Sequence, residues 1–267
     1  MVFNVGKVPY GVPFSGVNPV GINREYQKNI AFENSPDTFQ STLPERYTSE
    51  QMISKLAKSN PDIEKILKAN NLPTEINYSS IADSLKSHCS TTRDICVGIY
   101  DNLPYSLKSE VDLNSLKEAS YLHDIGKVFI PEGLLNKKGS FTPEEYKIMQ
   151  LHSDLGYELL KGTNLSEKTL SLIRNHHQDL TKNGYPKVDK NYVVGTDLQV
   201  LALADKYSAL TEKRPYKEPM TREQALTLIG TEVKLGKFNP LIYNSLVQAT
   251  ANTVYSGSND LAVKKLL

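Results

Sequence analysis

Three threonines in the second half of the chain each open the same four-residue pattern: Thr142-Pro143-Glu144-Glu145, Thr196-Asp197-Leu198-Gln199 and Thr221-Arg222-Glu223-Gln224. A threonine hydroxyl followed three residues later by Glu or Gln can satisfy two free amides at a helix start, so each pattern predicts a helix N-terminus, the first strengthened by proline. Asn239-Pro240 predicts a further start, and Gly126, Gly162 and Gly236 stand where a left-handed residue can close a last turn. Only Tyr192-Val193-Val194 has strand composition, and it is too short to build a sheet. The expected fold class is all-α.

Residues 1–47 differ in kind. Gly6, Gly11, Gly16 and Gly21 recur among Val-Pro and Asn-Pro steps, which predicts an extended or flexible tail or a docking segment for a protein partner. Residues 48–78 then read as a short helical pair, with Thr48 or Ser49 capping one helix and Asn60-Pro61 opening the next. Residues 79–267 form the main domain.

All five histidines fall in that domain, at His88, His123, His152, His176 and His177. Helical phase turns them inward. Ile81, Ser84, His88, Thr92, Ile95 and Ile99 share one face, and His88 has no acidic partner on it, since Asp83 points away. Leu116, Ala119 and His123 align, with Asp124 beside them at a helix C-terminus, where the helix dipole favours a cation. His152 sits among Ile148, Met149, Leu155 and Leu159, and His177 follows Leu170 and Ile173. Asp205 closes the apolar run Val200-Leu201-Ala202-Leu203-Ala204. One inward histidine is usually a hydrogen-bonded core residue. Five of them, together with two aspartates that are costly to bury unpaired, point to a metal. Imidazole with carboxylate suits iron, manganese, zinc or nickel in a catalytic site rather than a thiolate-rich structural one.

The remaining composition excludes several partners. A net charge of +1 gives no reason to expect DNA, RNA or an anionic membrane. Cys89 and Cys96, about 10 Å apart along one helix, are too distant for a disulfide and read as core residues in a reducing compartment. No apolar run reaches the length of a membrane span, and the N-terminus lacks a secretory pattern, so a cytoplasmic protein is the expectation.

The ordered set His123-Asp124-Ile125-Gly126-Lys127, Pro131 to Gly139, His152 with Gly156, His176-His177, Gly184-Tyr185-Pro186, Ala204-Asp205 and Arg214-Pro215-Tyr216 resembles the HD-GYP subfamily of the HD superfamily of metal-dependent phosphohydrolases. The resemblance implies an all-helical domain that hydrolyses a cyclic dinucleotide, chiefly cyclic di-GMP. It implies two divalent ions, iron or manganese, held by His88, His123, Asp124, His152, His176, His177 and Asp205, with Asp124 bridging. Ser84 stands where three-metal members carry glutamate, so a third ion is not expected. Lys127 would contact the scissile phosphate or protonate the leaving oxygen, with Asp124 as the other catalytic residue. Gly184, Tyr185 and Arg214 would contact the nucleotide, and Lys137, Lys138 and Lys182 could add local positive potential. The Gly-Tyr-Pro loop offers a second surface for a protein partner, and a homo-oligomer stays open.

The chain departs from that pattern at Gln178 in place of glutamate, at Thr181-Lys182 in place of Asp-Gly, and at Ser208-Ala209-Leu210 in place of Asp-Ala-Leu. These changes leave two alternatives: an HD-type phosphohydrolase for another nucleotide or phosphate ester, or a non-catalytic domain that binds metal or nucleotide and signals.

Overall fold

Helix caps set the boundaries of most elements. A computed structural model describes residues 46–213 and 218–251, all within one unit spanning Leu43–Leu267. Ser49 caps helix α1 (Glu50–Ser59), and Asn60 with Pro61 starts α2 (Pro61–Ala69). Helix α3 (Tyr78–Ser84) passes through a π-helical turn, Leu85–Cys89, into α4 (Ser90–Asp101). A short α5 (Tyr105–Lys108) precedes α6 (Leu113–Leu122), a 3-10 turn (Ile125–Phe129) and a short α7 (Glu132–Leu135). Then come α8 (Pro143–Leu160), α9 (Glu167–Asn175), α10 (Thr196–Thr211), α11 (Arg222–Lys234) and α12 (Pro240–Ala249).

The fold is all-α, and the described residues contain no β-sheet. The segment Tyr192-Val193-Val194 is not a strand, and Val193 is exposed. An isolated antiparallel bridge between His177 and Tyr185 is the one β-type pairing among the described residues. No described helix is long and apolar enough to cross a membrane.

Two of the three expected capping boxes form, at Thr142 with Glu145 and at Thr221 with Gln224. The third does not. Gly195 is the cap of α10, and the Gln199 side chain instead accepts from the Asn239 amide at 3.0 Å, tying the start of α10 to the start of α12. Of the three glycines expected to close helices with a left-handed residue, Gly236 alone has positive φ. Gly126 serves close approach. A Cβ there would lie 2.0 Å from the His152 carbonyl oxygen and 2.5 Å from the Gly156 amide, so only glycine lets the 3-10 turn seat against α8.

Helix α4 lies at the centre, packed against α6, α10 and α12, while α9 packs on α6 and α8. Helix α10 is buried along most of its length, from Thr196 to Ala204 and again at Tyr207 and Ser208, so it carries its chemistry inside the core. Helices α1 and α2 pack against α8. Residues 1–45, which hold nearly all of the expected tail, and Arg214 with Pro215 and Tyr216 lie outside the described residues.

Candidate metal centre

Four of the five histidines reach the centre from positions that helices fix, and His177 reaches it from the bridge with Tyr185. His123 and His176 are the C-caps of α6 and α9, His152 lies within α8, and His88 lies in the π turn. A π turn widens the helix by one residue and often marks a functional site. This one changes the phase between Ile81 and Ile95, yet both remain buried together with His88.

The backbone selects the tautomer of three rings. Nδ1 of His123 lies 2.8 Å from the Ser120 carbonyl, Nδ1 of His152 lies 2.7 Å from that of Met149, and Nδ1 of His176 lies 2.6 Å from that of Ile173. A carbonyl can only accept, so each Nδ1 carries the proton and each Nε2 presents a lone pair inward.

These lone pairs fall into two groups. His152, His176 and His177 make one, and His88, His123 and Asp205 make the other, each with ligand atoms within 4.8 Å of one another. Asp124 stands between. Its Oδ1 lies 3.5 Å from His152 Nε2 and 4.0 Å from His176 Nε2, while its Oδ2 lies 3.5 Å from His123 Nε2 and 3.7 Å from His88 Nε2. Asp205 also spans the groups, with Oδ1 3.0 Å from His88 Nε2 and Oδ2 3.9 Å from His177 Nδ1. The structure thus brings together all seven residues that the sequence nominates.

Two observations test whether this donor set fits cations. Nε2 of His152 lies 3.2 Å from Nε2 of both His176 and His177, and with the Nδ1 protons engaged elsewhere, His152 and His176 turn lone pairs toward each other. Nε2 of His123 is fully buried and has no hydrogen-bond partner among the described residues. Facing lone pairs and an orphaned buried acceptor are both satisfied by positive charge.

The electrostatics agree. Burial, reinforced by neighbouring His152, depresses His177 to about 3, and burial depresses His152 to about 4 against the pull of Asp124. Burial and His177 hold His176 well below its ordinary range. All three are neutral and able to coordinate. Burial would raise Asp124, but Lys127 and the histidines around it hold the carboxyl well below the usual carboxylate range. His123 and His88 do the same for Asp205 against its burial. His88 differs: burial lowers it, but hydrogen bonds to Asp205 and Glu212 prevail and raise it to about 9. Cys89 brings a sulfur near His123 and Asp124, but burial and the Asp124 charge push the thiol well up, so it remains a neutral neighbour of a nitrogen and oxygen donor set.

Lys127 lies one turn beyond Asp124 and donates to its Oδ2 at 2.5 Å. Beside the centre a cleft of about 630 Å³ is lined by His176, His177, Tyr185, Asp205, Lys206 and Phe238 among others. The Tyr185 ring lies against that of His177, with centroids 4.4 Å apart. Gly184 has a backbone reason to be glycine: a Cβ would meet the His177 carbonyl oxygen at 2.0 Å, so it lets the loop close down on the paired histidines. Gln178 is buried and donates its side-chain amide to the Pro186 carbonyl, anchoring the same loop across the cis Tyr185-Pro186 bond. An ionised glutamate at 178 has no proton to donate to that carbonyl.

The positive lining of the cleft differs from the expected one. Lys137 pairs with Glu145, and Lys182 donates to the Lys190 carbonyl, whereas Lys206 and Lys237 line the cleft, both paired with Glu232. The carboxylate of Glu212, 3.0 Å from His88 Nδ1, is not among the residues the sequence nominates. The spacing Asp205, Ser208, Glu212 on one helical face was the signal that could have found it.

Residues 78–242 match the family model described as HD domain. The chain is 35% identical over 119 residues to a cyclic di-GMP phosphodiesterase of Thermotoga maritima, covering 44% of this chain and 32% of that protein. It is 38% identical over 123 residues to the 3'3'-cGAMP-specific phosphodiesterase 2 of Vibrio cholerae, covering 44% of this chain and 22% of the relative. The cyclic di-GMP phosphodiesterase response regulator RpfG of Xanthomonas campestris is 32% identical over 146 residues, 54% of this chain and 38% of its own length. The matched part of the chain thus spans well under half of each relative. The HD domain of the L. monocytogenes phosphodiesterase PgpH aligns with a TM-score of 0.43 and 16% identity, over 63% of this chain and 94% of that one.

Proposed function

Because the chain belongs to the HD-domain family, whose model it matches over residues 78–242, we propose that it is an HD-GYP-type phosphodiesterase that opens a cyclic dinucleotide, cyclic di-GMP before others, at a centre for two divalent ions. The observation that carries this reading is Asp124, whose two oxygens face two separate groups of nitrogen and oxygen donors. His152, His176 and His177 would hold one ion and His88, His123 and Asp205 the other, with Asp124 shared. The family resemblance points to iron or manganese, both of which a nitrogen and oxygen donor set accepts. Residues 79–267 would form the catalytic domain.

A phosphodiester is anionic and resists hydroxide, and a divalent pair supplies the charge that clamps phosphate oxygens and the acidity that makes water a nucleophile near neutral pH. The chain's own residues do the rest. Asp124 and Asp205 remain ionised and concentrate cations, while the carbonyls of Ser120, Met149 and Ile173 lock three imidazoles in the coordinating tautomer. The Lys127 ammonium beside Asp124 is the group we assign to contact the phosphate or to protonate the departing ribose oxygen. Tyr185 offers a ring face for a base at the cleft wall, Gly184 brings the loop down to it, and Lys206 and Lys237 bring positive charge to the outer cleft. Arg214 is assigned to the nucleotide on the sequence resemblance.

The test is turnover by protein loaded anaerobically with iron or manganese, using cyclic di-GMP, cyclic GMP-AMP and cyclic di-AMP with product analysis. The expected result is a linear dinucleotide or mononucleotides, fastest from cyclic di-GMP, and loss of both metal and turnover in Asp124→Ala. Full metal occupancy without hydrolysis of any of the three would refute the proposal.

A further inference from the structure

Three of the four histidines whose Nε2 atoms surround Asp124 are oriented by a carbonyl of their own helix. His88 is held from a different helix. Its Nδ1 lies 3.0 Å from both Ser208 Oγ and Glu212 Oε2, and its Nε2 lies 3.0 Å from Asp205 Oδ1. Ser208 Oγ in turn donates to Glu212 Oε1 at 3.1 Å. The Ser208 hydroxyl proton is thereby engaged, so His88 must be the donor at Nδ1, sharing its proton between the serine oxygen and the carboxylate.

Asp205, Ser208 and Glu212 lie on one face of α10 and its C-cap, so a single helix grips both edges of the His88 ring. Ser208 is fully buried and uncharged, and it stands where the resembling sequence pattern carries an aspartate. A hydroxyl there can accept a hydrogen bond but cannot supply negative charge. Glu212, one helical turn further on, brings a carboxylate back to the same nitrogen.

We propose that Glu212 is a positioning residue for the metal centre: with Ser208 it holds His88 in the tautomer and orientation that present Nε2 to the ion shared with His123 and Asp205. The inference rests on the proposed reading of that centre. A carboxylate behind a coordinating imidazole raises its basicity and fixes its ring, and removing such a partner typically costs about 10- to 100-fold in metal affinity. The loss falls on one ion, because His152, His176 and His177 take no support from Glu212.

The probe is manganese(II), titrated into the chelator-stripped chain of residues 1–267 by calorimetry and by electron paramagnetic resonance of the free ion. The expected result is two binding events in the parent and, in Glu212→Ala, an unchanged first event with the second weakened about 10- to 100-fold. Moving the carboxylate back one turn, in the double variant Ser208→Asp with Glu212→Ala, is expected to recover most of that affinity. A purely structural role for Glu212 predicts no such rescue. Two unaltered events in Glu212→Ala, or equal weakening of both without rescue, overturn the inference alone. Absence of manganese binding by the parent protein would overturn the metal centre itself and this inference with it.

Discussion

Lys127 places its ammonium against Asp124 Oδ2, the carboxylate oxygen that also faces His88 and His123. Positive charge that stabilises this buried carboxylate is therefore supplied by a side chain that sits one residue beyond Gly126 and is itself partly exposed. A cation already beside Asp124 opposes a second one, while a cation beside a phosphate assists its hydrolysis. Lys127→Met is expected to retain both ions with equal or higher affinity, yet to lose about 100-fold or more in turnover. Parallel metal titration and steady-state kinetics would check it, and a parallel loss of metal would count against the catalytic assignment.

Asp124→Asn keeps the shape of the side chain but offers one neutral acceptor where two charged oxygens stood. Both groups of ligands lose the charge they share, so we expect occupancy of both ions to fall together, with turnover reduced at least 100-fold. Metal analysis of the purified variant reads this directly. Loss of one ion alone would show that Asp124 serves a single site.

Gly126→Ala forces a methyl group into the backbone of α8 at His152 and Gly156. Neither atom can move without shifting the helix that carries a ligand. The variant is expected to be less stable by about 3 kcal/mol or more, and to bind metal poorly, as measured by denaturant unfolding with and without manganese.

The metal-free protein should show an unusual dependence of stability on pH. His152 at about 4 and His177 at about 3, with His176 also depressed, lie below the unfolded value of about 6.5, so the unfolded chain binds more protons as pH falls. Stability from these rings is complete above about 6.5 and declines from there toward 4, by about 1.4 kcal/mol per pH unit for each. His88, raised to about 9, acts oppositely: its contribution is complete below about 6.5 and is lost as pH rises through 9. Chelator-treated protein should be most stable near pH 6.5 to 7, as read by urea midpoints across pH. A profile flat from pH 8 to 4 would contradict the neutral histidine cluster.

Gln178→Glu restores the residue type the sequence pattern leads one to expect, yet it replaces the amide that donates to the Pro186 carbonyl with a buried acceptor. The loop bearing Tyr185 should loosen. We expect KM to rise several-fold with metal affinity little changed, a split that separates loop anchoring from ligation.

Helical phase and capping chemistry were legible because they are local. Thr142 and Thr221 form the boxes their spacing implies, and the periodicity of apolar residues puts His88, His123, His152 and Asp205 on inward faces. Local rules failed where a distant residue competed. Gln199 leaves the start of its own helix for the Asn239 amide, and Gly126 is required by the approach of α8 rather than by a left-handed turn. The π turn at Leu85–Cys89 has no periodic signature, because it inserts one residue into a pattern that otherwise continues.

The amino-acid pattern alone implied an all-helical main domain with seven inward nitrogen and oxygen donors, since amphipathic period and side-chain chemistry are carried residue by residue. The tertiary structure decided how those donors divide, because distances between helices depend on packing. It separated His152, His176 and His177 from His88, His123 and Asp205, put Asp124 between them, and brought Glu212 from the end of α10 to the far side of the His88 ring.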